Sequence, residues 1–411
     1  MGGTPSVAVA VSTHNRSAFL PALLEALEAQ KFPREQVEVI ITDNGSTDDT
    51  WTVLGVLVAT SPLRLRAVHL ALDAGVGTAR DAAVQASRAP IVAFTDDDCL
   101  PSPGWLGALC EAMTRSGGPS RPSVVQGSTL PWRGDETHAG VWARTVWVKE
   151  PTWLFETCNI AYRREDLDAV GGFSGAARAA PPIPRRGSAD GEVGSGSRSS
   201  RRAGQGGEGR AGWSACPMTT TPQCEVWGVA SPAPLSAEPL SDDQPVERTR
   251  RRARPTRASA GNRPFGEDAI LGWAVVSSGA LVVFAPAARV EHRHLPATYR
   301  DWLDEHRRLR LFPALLRKSP YGNLVLWKRP FLAPRTAAFD LMVIASAAAI
   351  VLKAPSVAIA GSLPWAVLAS SEARDRVGRP AALRLAQLAL GDLIGCVSLV
   401  GGSLKHRKMV L

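Results

Sequence analysis

The chain has 411 residues, of which 45% are hydrophobic and 21% charged, with a formal net charge of +9 at pH 7. This length exceeds the size at which one hydrophobic core stops growing, so two or more structural units are expected. The composition excludes wholesale disorder, a collagen repeat and a coiled coil. The six cysteines show neither a CxxC pair nor regular spacing, which argues against a zinc site or a disulfide framework. The N-terminus lacks a signal-peptide pattern, so we expect a protein that is not secreted by that route.

The first 173 residues alternate short β-rich runs with helical ones. Strands are predicted over residues 7–11, 37–42, 65–70 and 91–95. Helices are predicted after Ser17 and over residues 79–87 and 104–115, with Ser17 as the cap of the first. Residues 46–49 have the spacing of a capping box. Strands separated by helical crossovers predict an α/β fold with a mostly parallel sheet and helices on both faces.

Residues 174–262 interrupt this alternation. They are rich in Gly, Ser, Pro and Arg, contain no Lys and show no apolar periodicity, so we expect a low-complexity, disordered insert. A helix over 267–277 and a strand over 281–284 resume the pattern. The predicted α/β domain therefore comprises residues 1–173 and 263–295.

The last part of the chain is predicted to be helical and membrane-associated. Residues 296–335 form a basic segment, and residues 336–411 contain three apolar runs. The runs cover residues 337–352, 357–369 and 383–404. A full membrane span needs about 20 apolar residues, which leaves open one or two tilted spans, a helical hairpin on the membrane surface or a buried hairpin. Basic residues on both flanks favour the cytoplasmic side of a membrane.

Three polar clusters directly follow predicted strands, at residues 13–16, 43–46 and 96–98. In an open α/β sheet, ligands bind outside the carboxyl ends of the strands, so we expect these clusters to converge on one site. The third cluster is three consecutive carboxylates, which repel one another unless a cation lies among them. Hard oxygen ligands of this kind favour Mg²⁺ or Mn²⁺. For any one cluster alone, a solvated loop is the alternative.

The ordered sequence motifs of the chain resemble the family 2 glycosyltransferases of the GT-A fold. The motifs are residues 9–16 (VAVSTHNR), 42–48 (TDNGSTD), 75–80, 94–98 (FTDDD), 159–173 (ending in VGGF) and 266–268 (GED) followed by LGW. The resemblance covers residues 5–173 and 265–295, about half of the chain. It implies a Rossmann-like α/β domain that uses a nucleotide-diphosphate sugar.

The resemblance also implies roles for individual residues. Binding of the donor nucleotide is assigned to Thr13, Asn15, Arg16, Asp43, Gly45, Ser46, Gly75, Arg80, Asp96 and Asp97. Coordination of the metal, Mg²⁺ or Mn²⁺, is assigned to Asp96, Asp98 and His292. Within the donor set, Asp43 matches the acid that reads the nucleobase, and Gly75 and Arg80 match the segment that closes over the nucleotide.

The catalytic residues implied by the resemblance are Asp268 and Glu267. Asp268 matches the general base, which takes the proton of the acceptor hydroxyl on the face opposite the departing nucleotide diphosphate. Transfer by this route inverts the configuration of the sugar. Glu267 is assigned to positioning, and a purely structural role for both acids at a helix N-terminus is compatible with these assignments.

Three departures from the family pattern qualify the resemblance. Asp81 stands where the family usually has Asn, and no Gln/Arg-x-x-Arg-Trp motif follows Asp268. The missing motif disfavours processive polymer synthesis and favours transfer of single sugars. Residues 174–262 separate two motifs that are normally joined by a short loop, so the insert is expected to lie beside the acceptor.

The predicted function is metal-dependent, inverting transfer of one sugar from a nucleotide-diphosphate donor, expected to be a UDP-sugar, to a lipid-linked or membrane-proximal glycan acceptor. The predicted location is the cytoplasmic face of the cell membrane. A sugar-nucleotide pyrophosphorylase is one alternative, but residues 13–16 lack the glycine of a phosphate loop. A catalytically impaired membrane scaffold is another. No nucleic-acid partner is expected, because the Arg-rich insert has few interleaved aromatics and no recognition module.

Overall fold

The computed structural model describes residues 5–114, 121–135, 142–179, 226–227, 265–375 and 381–411. Most of the expected insert, residues 180–225 and 228–262, lies outside these ranges. The prediction of disorder made for it therefore concerns residues that the structure does not describe.

Nine strands form one mixed sheet in the described part of the chain. They are β1 (Val7–Thr13), β2 (Val37–Asn44), β3 (Arg64–Leu70), β4 (Ile91–Thr95), β5 (Cys99–Pro101), β6 (Pro122–Pro131), β7 (Asn159–Arg163), β8 (Val226–Trp227) and β9 (Leu281–His292). Their order is β3-β2-β1-β4-β7-β6-β9-β5, with β8 pairing on β9. The first four strands in this order are parallel, whereas β7 runs antiparallel to β4 and to β6. The predicted parallel arrangement thus holds for β1 to β4, and the other half of the sheet is mixed.

Helices cover the sheet and continue beyond it. Those of the sheet domain are α1 (Leu20–Glu28), α2 (Thr50–Thr60), α3 (Val76–Gln85), α4 (Trp105–Thr114), α5 (Arg164–Val170), α6 (Gly172–Ala179) and α7 (Glu267–Ser277). Those that follow are α8 (Tyr299–Arg308), α9 (Phe312–Leu316), α10 (Pro334–Leu352), α11 (Pro355–Asp375) and α12 (Ala381–His406).

Two helix starts and one strand end differ from the sequence prediction. Ser17 begins a short 3-10 turn, and α1 starts at Leu20 without a side-chain cap. α3 starts before residue 79, because Gly75 at φ 89° turns the chain into the helix three residues earlier. β9 continues to His292, well past the predicted end at residue 284, because it pairs along its length with β6 and at its end with β5.

Apolar side chains pack on both faces of the sheet, as predicted. In β1, Ala8 and Ala10 belong to the cluster that includes α3, α6 and α7, whereas Val7, Val9 and Val11 belong to the cluster with α1, α2 and α4. Successive strand residues point to opposite faces, so this alternation places helices on both sides. β2 is buried at every position, as expected for a strand inside the sheet. The α/β class with helices on both faces is confirmed.

The folded domain extends past the predicted start of the insert at residue 174. Helix α6 continues to Ala179, and Ala176 within it is buried in the core. Val226 and Trp227 form β8, which pairs antiparallel with Val283 and Val282 of β9. The predicted boundary therefore lies too early, because the apolar residues of α6 are few and their periodicity is short.

The C-terminal region is helical, as predicted. By length and composition, two helices of the described chain are apolar enough to cross a membrane, Pro334–Leu352 and Ala382–His406. Large exposed apolar side chains are concentrated on α10, α11 and α12 rather than on the sheet domain.

Candidate active site

The carboxyl ends of β1, β2 and β4 meet at one edge of the sheet. Thr13, the last residue of β1, pairs in register with Asp43 of β2. The Arg16 guanidinium reaches from the first polar cluster to the third, where its Nη1 donates to Asp97 Oδ1 and to Asp98 Oδ2, both at 2.7 Å. The structure therefore brings the three predicted clusters together.

Asn15 connects the first cluster to the second. Its backbone lies in the left-handed region at φ 54°, which Asn tolerates better than most residues. The Asn15 N–H donates to Ser46 Oγ at 2.9 Å, and the Thr47 N–H donates to Asn15 Oδ1 at 2.7 Å. The predicted capping box at residues 46–49 does not form, because α2 starts only at Thr50, with Asp49 as its N-cap residue and no side-chain cap bond.

Asp43 is fully buried, and both of its carboxylate oxygens have partners. Oδ1 accepts from the Ser46 N–H at 3.0 Å, and Oδ2 lies 3.0 Å from His69 Nδ1. The His69 ring packs on Trp51, with the ring centroids 4.8 Å apart. Asp43 is therefore held in a fixed orientation at the base of this edge.

At two positions assigned to the donor site, the backbone geometry requires glycine. Gly45 has φ 68°, and a Cβ built there would lie 2.3 Å from the carbonyl carbon of Leu72. Gly75 has φ 89° and precedes α3. Both values lie in the range that favours glycine over residues with a side chain.

Asp97 and Asp98 are buried carboxylates, each 3% exposed. Burial raises the pKa of Asp97 to about 6, against the lowering by Arg16, and the neighbouring Asp98 adds to the rise. Two carboxylates buried side by side repel each other, and a shared cation offsets that repulsion. In this structure Arg16 supplies the positive charge.

Asp98, Cys99 and His292 form a buried group whose candidate ligand atoms lie within 4.8 Å of one another. Asp98 Oδ1 is 3.4 Å from His292 Nε2, while His292 Nδ1 is 2.8 Å from the carbonyl oxygen of Arg293. That carbonyl fixes Nδ1 as a donor and leaves Nε2 to act as a ligand. Burial raises the pKa of Cys99 well above its ordinary value, which keeps the thiol protonated. Asp98 and His292 thus fit a divalent cation such as Mn²⁺ or Mg²⁺.

Asp96 lies outside this buried group and pairs with Arg80 instead. Arg80 Nη2 donates to Asp96 Oδ1 at 2.8 Å, and Arg80 Nη1 donates to Asp268 Oδ1 at 2.9 Å. The Arg80 side chain is 7% exposed, against 28% for Asp96 and 31% for Asp268. One buried guanidinium therefore joins two carboxylates that open to solvent. The role of Asp96 as a metal ligand stays a prediction.

Asp268 and Glu267 open α7, and their side chains have different partners. Asp268 Oδ2 accepts from Thr157 Oγ1 at 2.8 Å and from the Thr157 N–H at 3.2 Å. Glu267 Oε2 accepts from the Gly77 N–H at 3.1 Å, and burial raises the pKa of Glu267. Glu267 thus fastens α7 to α3, whereas Asp268 faces the carboxyl edge of the sheet.

Asp81, the first departure from the family pattern, has a structural role. Its Oδ1 accepts from the Phe173 N–H and its Oδ2 from the Ser174 N–H, each at 2.8 Å. A carboxylate offers two acceptors where an amide side chain offers one oxygen. Asp81 therefore fixes the start of α6 on α3.

Sequence reasoning missed the loop that precedes β7. Besides Thr157, this loop carries Glu156, whose Oε2 accepts from Gln126 Nε2 at 2.9 Å and from the Thr152 hydroxyl. Burial raises the pKa of Glu156, and the nearby Asp268 charge adds to the rise. No local motif marks these residues, since Thr157 and Asp268 are 111 positions apart and meet only in the fold.

Residues 8–178 match the family model described as Glycosyl transferase family 2. The chain is 33% identical over 124 residues to validoxylamine A glucosyltransferase of Streptomyces hygroscopicus subsp. jinggangensis, covering 30% of this chain and 28% of that protein. It is 30% identical over 102 residues to glycosyltransferase AglE of Haloferax volcanii, covering 25% and 33%. It is 28% identical over 176 residues to succinoglycan biosynthesis protein ExoM of Rhizobium meliloti, covering 41% and 55%. The chain thus spans a third or less of the first two relatives.

Structural comparison aligns the chain with mannosyltransferase PcManGT from Pyrobaculum calidifontis in complex with GDP-Man and Mn²⁺. The two are 16% identical, with a TM-score of 0.47 and coverage of 98% of this chain and 88% of the other. S. aureus TarS 1–349 in complex with UDP is 14% identical, with a TM-score of 0.43 and coverage of 98% and 92%. The sequence match over residues 8–178 is the finding that bears on family membership, and Asp268 and His292 lie outside it.

Proposed function

Because the chain belongs to glycosyl transferase family 2, we propose that it transfers a single sugar from a nucleotide-diphosphate donor to an acceptor, with inversion. One observation carries the proposal. Arg80 connects Asp96 of the acidic cluster to Asp268, which opens α7 at the same edge of the sheet. The residues proposed to bind the donor and the residue proposed to take the acceptor proton are therefore held together.

The donor is proposed to bind across the carboxyl ends of β1, β2 and β4, with a UDP-sugar as the donor expected from the family resemblance. In this proposal Asp43 faces the nucleobase, and Thr13, Asn15 and Ser46 surround the base and ribose. Arg16 and Arg80 each pair with two carboxylates at this edge. A diphosphate is an alternative anionic partner for both guanidiniums, so donor binding is expected to loosen these ion pairs.

The residues proposed to hold Mn²⁺ or Mg²⁺ are Asp98 and His292, with Asp96 as a further ligand. Their carboxylate and imidazole donors suit such a cation, and Asp98 and His292 already lie close together. A bound divalent cation neutralises negative charge on the nucleotide diphosphate as it leaves. Arg293 would hold the His292 ring through its carbonyl oxygen.

Asp268 is proposed as the general base. Thr157 orients one of its oxygens and Arg80 the other, so the carboxylate keeps one position relative to α7. Its 31% exposure leaves room for an acceptor hydroxyl to approach. Glu267 is proposed to act by positioning, since it bonds the Gly77 N–H and fixes the first turn of α7 on α3.

The acceptor is proposed to be lipid-linked or to lie close to the cytoplasmic face of a membrane. Two apolar helices, Pro334–Leu352 and Ala382–His406, support membrane association. The basic segment before α10 supports the cytoplasmic side, because Lys and Arg next to a membrane favour that face. A relative named as a succinoglycan biosynthesis protein is in keeping with a glycan acceptor at the cell envelope.

The test is a turnover assay with the purified full chain and a panel of UDP-linked and GDP-linked sugars. Nucleoside diphosphate release is measured with Mn²⁺, with Mg²⁺ and with excess chelator. We expect release from at least one donor, loss of release in chelator and recovery on adding Mn²⁺ back. Transfer to lipid is followed with a radiolabelled sugar and a bacterial lipid extract.

Asp268→Asn and Glu267→Gln separate the two acids in the same assay. The first is expected to abolish most transfer and the second to reduce it mildly. No release from any nucleotide sugar in the presence of Mn²⁺ would contradict the proposed function. Full release in chelator would contradict the metal dependence alone.

A further inference from the structure

Helix α12 has two faces of opposite kind. The face that packs on the rest of the chain contains Leu388, Asp392, Leu399, Gly402, Ser403 and His406, all of them buried. The other face exposes an apolar row at helical spacing, namely Leu383, Leu390, Leu393, Val397, Val400 and Leu404. Spacings of three, four and seven residues keep such a row on one side of a helix. The packed face of α12 thus combines polar and apolar groups, whereas the outward row is apolar.

The buried face of α12 lies along the segment 299–317, which comprises α8, a short turn and α9. Near one end, the Tyr299 hydroxyl donates to the carbonyl oxygen of Gln387 at 2.9 Å. At the other end, Arg317 Nη1 donates to the carbonyl oxygen of His406 at 2.6 Å. The contacts advance together along both segments, so the two lie side by side for about 19 residues.

Glycines let α12 approach this segment closely. A Cβ on Gly391 would lie 2.0 Å from the Trp302 ring, and a Cβ on Gly402 would lie 2.4 Å from the carbonyl oxygen of Arg310. The fit is therefore continuous between the two ends. α12 and residues 299–317 form one packed layer.

The charge of residues 299–317 decides where that layer can lie. Eight of these nineteen residues are Arg, Asp or Glu. Charged side chains are costly in the hydrocarbon core of a bilayer, so this segment stays in the aqueous or headgroup region. Because α12 is packed along it, α12 cannot cross the bilayer while this packing holds.

The α10–α11 pair is arranged differently. The two helices form an antiparallel hairpin joined at Lys353, and near that end Ile350, Val351 and Leu352 are 80%, 81% and 64% exposed. A 19-residue helix is about 28 Å long, close to the hydrocarbon thickness of a bilayer. α10 therefore has the length to enter a membrane, and α11 beside it also exposes apolar side chains, Ile359, Leu363 and Val367.

Charged groups mark the other end of the hairpin. Arg335 at the start of α10 ion-pairs with Glu372 near the end of α11 and, at 2.7 Å, with Asp392 of α12. The Trp365 Nε1–H donates to Asp392 Oδ2 at 2.8 Å. Charged residues with a tryptophan are typical of the membrane–water boundary. This cluster joins the base of the hairpin to the middle of α12.

We propose that α12 lies flat on the cytoplasmic surface of an anionic bilayer, with its apolar row in the lipid, and that the α10–α11 hairpin alone enters the bilayer, with Lys353 at its far end. Lys405 in the last turn of α12, and Arg407 and Lys408 directly after it, supply positive charge for anionic headgroups. By composition, both α10 and α12 qualify as membrane spans. Their packing distinguishes them, because α12 lies along a charged segment and α10 pairs with α11. The inference rests on the membrane association in the proposed function and is independent of the sugar chemistry.

The test adds one accessible cysteine at a time to the full chain, in a background where Cys110, Cys216, Cys224 and Cys396 are replaced by Ala and the buried Cys99 and Cys158 are kept. The probes are Ala382→Cys and Lys405→Cys at the two ends of α12, and Lys353→Cys at the hairpin tip. Glu25→Cys, exposed on α1, reports which way the sheet domain faces. The protein is reconstituted into phosphatidylcholine–phosphatidylglycerol vesicles and treated with a charged, membrane-impermeant maleimide, before and after detergent.

We expect Ala382→Cys and Lys405→Cys to label to the same extent as Glu25→Cys before detergent. Lys353→Cys should label at most a tenth as much before detergent and fully after it, once vesicle orientation is corrected for. Labelling of Lys405→Cys with protection of Ala382→Cys would show that α12 crosses, and would overturn the proposal. Equal labelling of Lys353→Cys before detergent would show that the hairpin does not enter, and would also overturn it.

Flotation of the same samples on a density gradient tests membrane association separately from sugar transfer. A chain that does not float with the vesicles would overturn both this topology and the proposed membrane association, while leaving nucleotide-sugar turnover to its own assay. A chain that floats and labels as expected, yet turns over no nucleotide sugar, would retain the topology and reject the transferase function.

Discussion

The sheet domain and the C-terminal helices distribute apolar and charged side chains in opposite ways. In the sheet domain, β1 and β2 are enclosed by helices on both faces, and the charged residues gather at the carboxyl edge around Arg16 and Arg80. In the C-terminal region, charged residues such as Arg335 and Asp392 pair inside the helical group, and the large apolar side chains lie outside. The two regions of the chain therefore differ in the kind of side chain that they expose.

This difference shows that the average composition of a segment can indicate the wrong environment for it, and that its packing contacts can correct the assignment. An apolar helix counts as a membrane span by its average hydropathy, yet α12 has one face committed to a charged segment of the protein. In the sheet domain, the buried segments are mainly apolar, yet they contain charged residues such as Asp97 and Asp98. These buried charges indicate a candidate functional site. In both regions, the interaction partner of each polar group indicates the environment of a segment better than its average hydropathy does.

The largest expected effect comes from removing the proposed base. Asp268→Asn keeps the acceptor for the Thr157 donors and loses basicity, so the transfer rate should fall about 10²–10⁴-fold, the usual contribution of a general base. Donor affinity, measured by calorimetry with Mn²⁺, should change little. Glu267→Gln serves as the matched neighbour with a milder effect. A rate loss well under tenfold for Asp268→Asn would argue against its role.

The next effect tests how the carboxyl edge is held together. Arg80→Met keeps most of the side-chain volume and leaves Asp96 and Asp268 without their shared cation. Breaking a buried ion pair by removing one partner costs about 3–5 kcal/mol, and the partial exposure of both acids lowers the expected loss to about 2–3 kcal/mol. Urea unfolding measures it. A change below about 0.5 kcal/mol would show that the Arg80 ion pairs are not structural.

The sequence predicted β1 to β4 and the convergence of their loops, because hydrophobic periodicity and turn residues are local signals. It could not predict that Asp43 would be enclosed by His69, or that Arg16 would pair with Asp97 and Asp98, since these contacts depend on strand order. The same limit applies to Thr157, which reaches Asp268 only through the fold. The packed face of α12 was equally hidden, because glycine spacing has no meaning until a partner segment is known.

A third, smaller effect sharpens the comparison at the C-terminal layer, where two glycines of α12 provide a matched pair. Gly391→Ala would place its Cβ 2.0 Å from the Trp302 ring and should destabilise this layer by about 1–3 kcal/mol. Gly401→Ala has open space and should stabilise the helix by about 0.5–1 kcal/mol through helix propensity. Thermal unfolding of the full chain measures both. Equal shifts at the two positions would contradict the close packing of α12 on Trp302.

The smallest effect is a pH dependence at Glu156. Burial raises the pKa of this carboxyl above the ordinary value of 4.5, so the folded chain keeps a proton that the unfolded chain has lost. The stability from Glu156 is therefore present below pH 4.5 and is lost as pH rises through the folded pKa. Glu156→Gln should gain stability relative to the parent as pH rises from 4 to 7, in urea unfolding. Glu150→Gln, at an exposed position, is the control, and a difference that does not vary with pH would refute this prediction.

The most direct test of the central claim, that the carboxyl edge of this sheet binds a nucleotide diphosphate through a divalent cation, is calorimetric titration of the full chain with UDP and GDP. The titrations are run with Mn²⁺ and with chelator, for the parent chain, Asp98→Asn and Asp268→Asn. We predict that Mn²⁺ tightens binding of one nucleotide more than tenfold in the parent and in Asp268→Asn, and that Asp98→Asn loses this gain. Equal affinity with Mn²⁺ and with chelator in the parent, or an undiminished gain in Asp98→Asn, would contradict it.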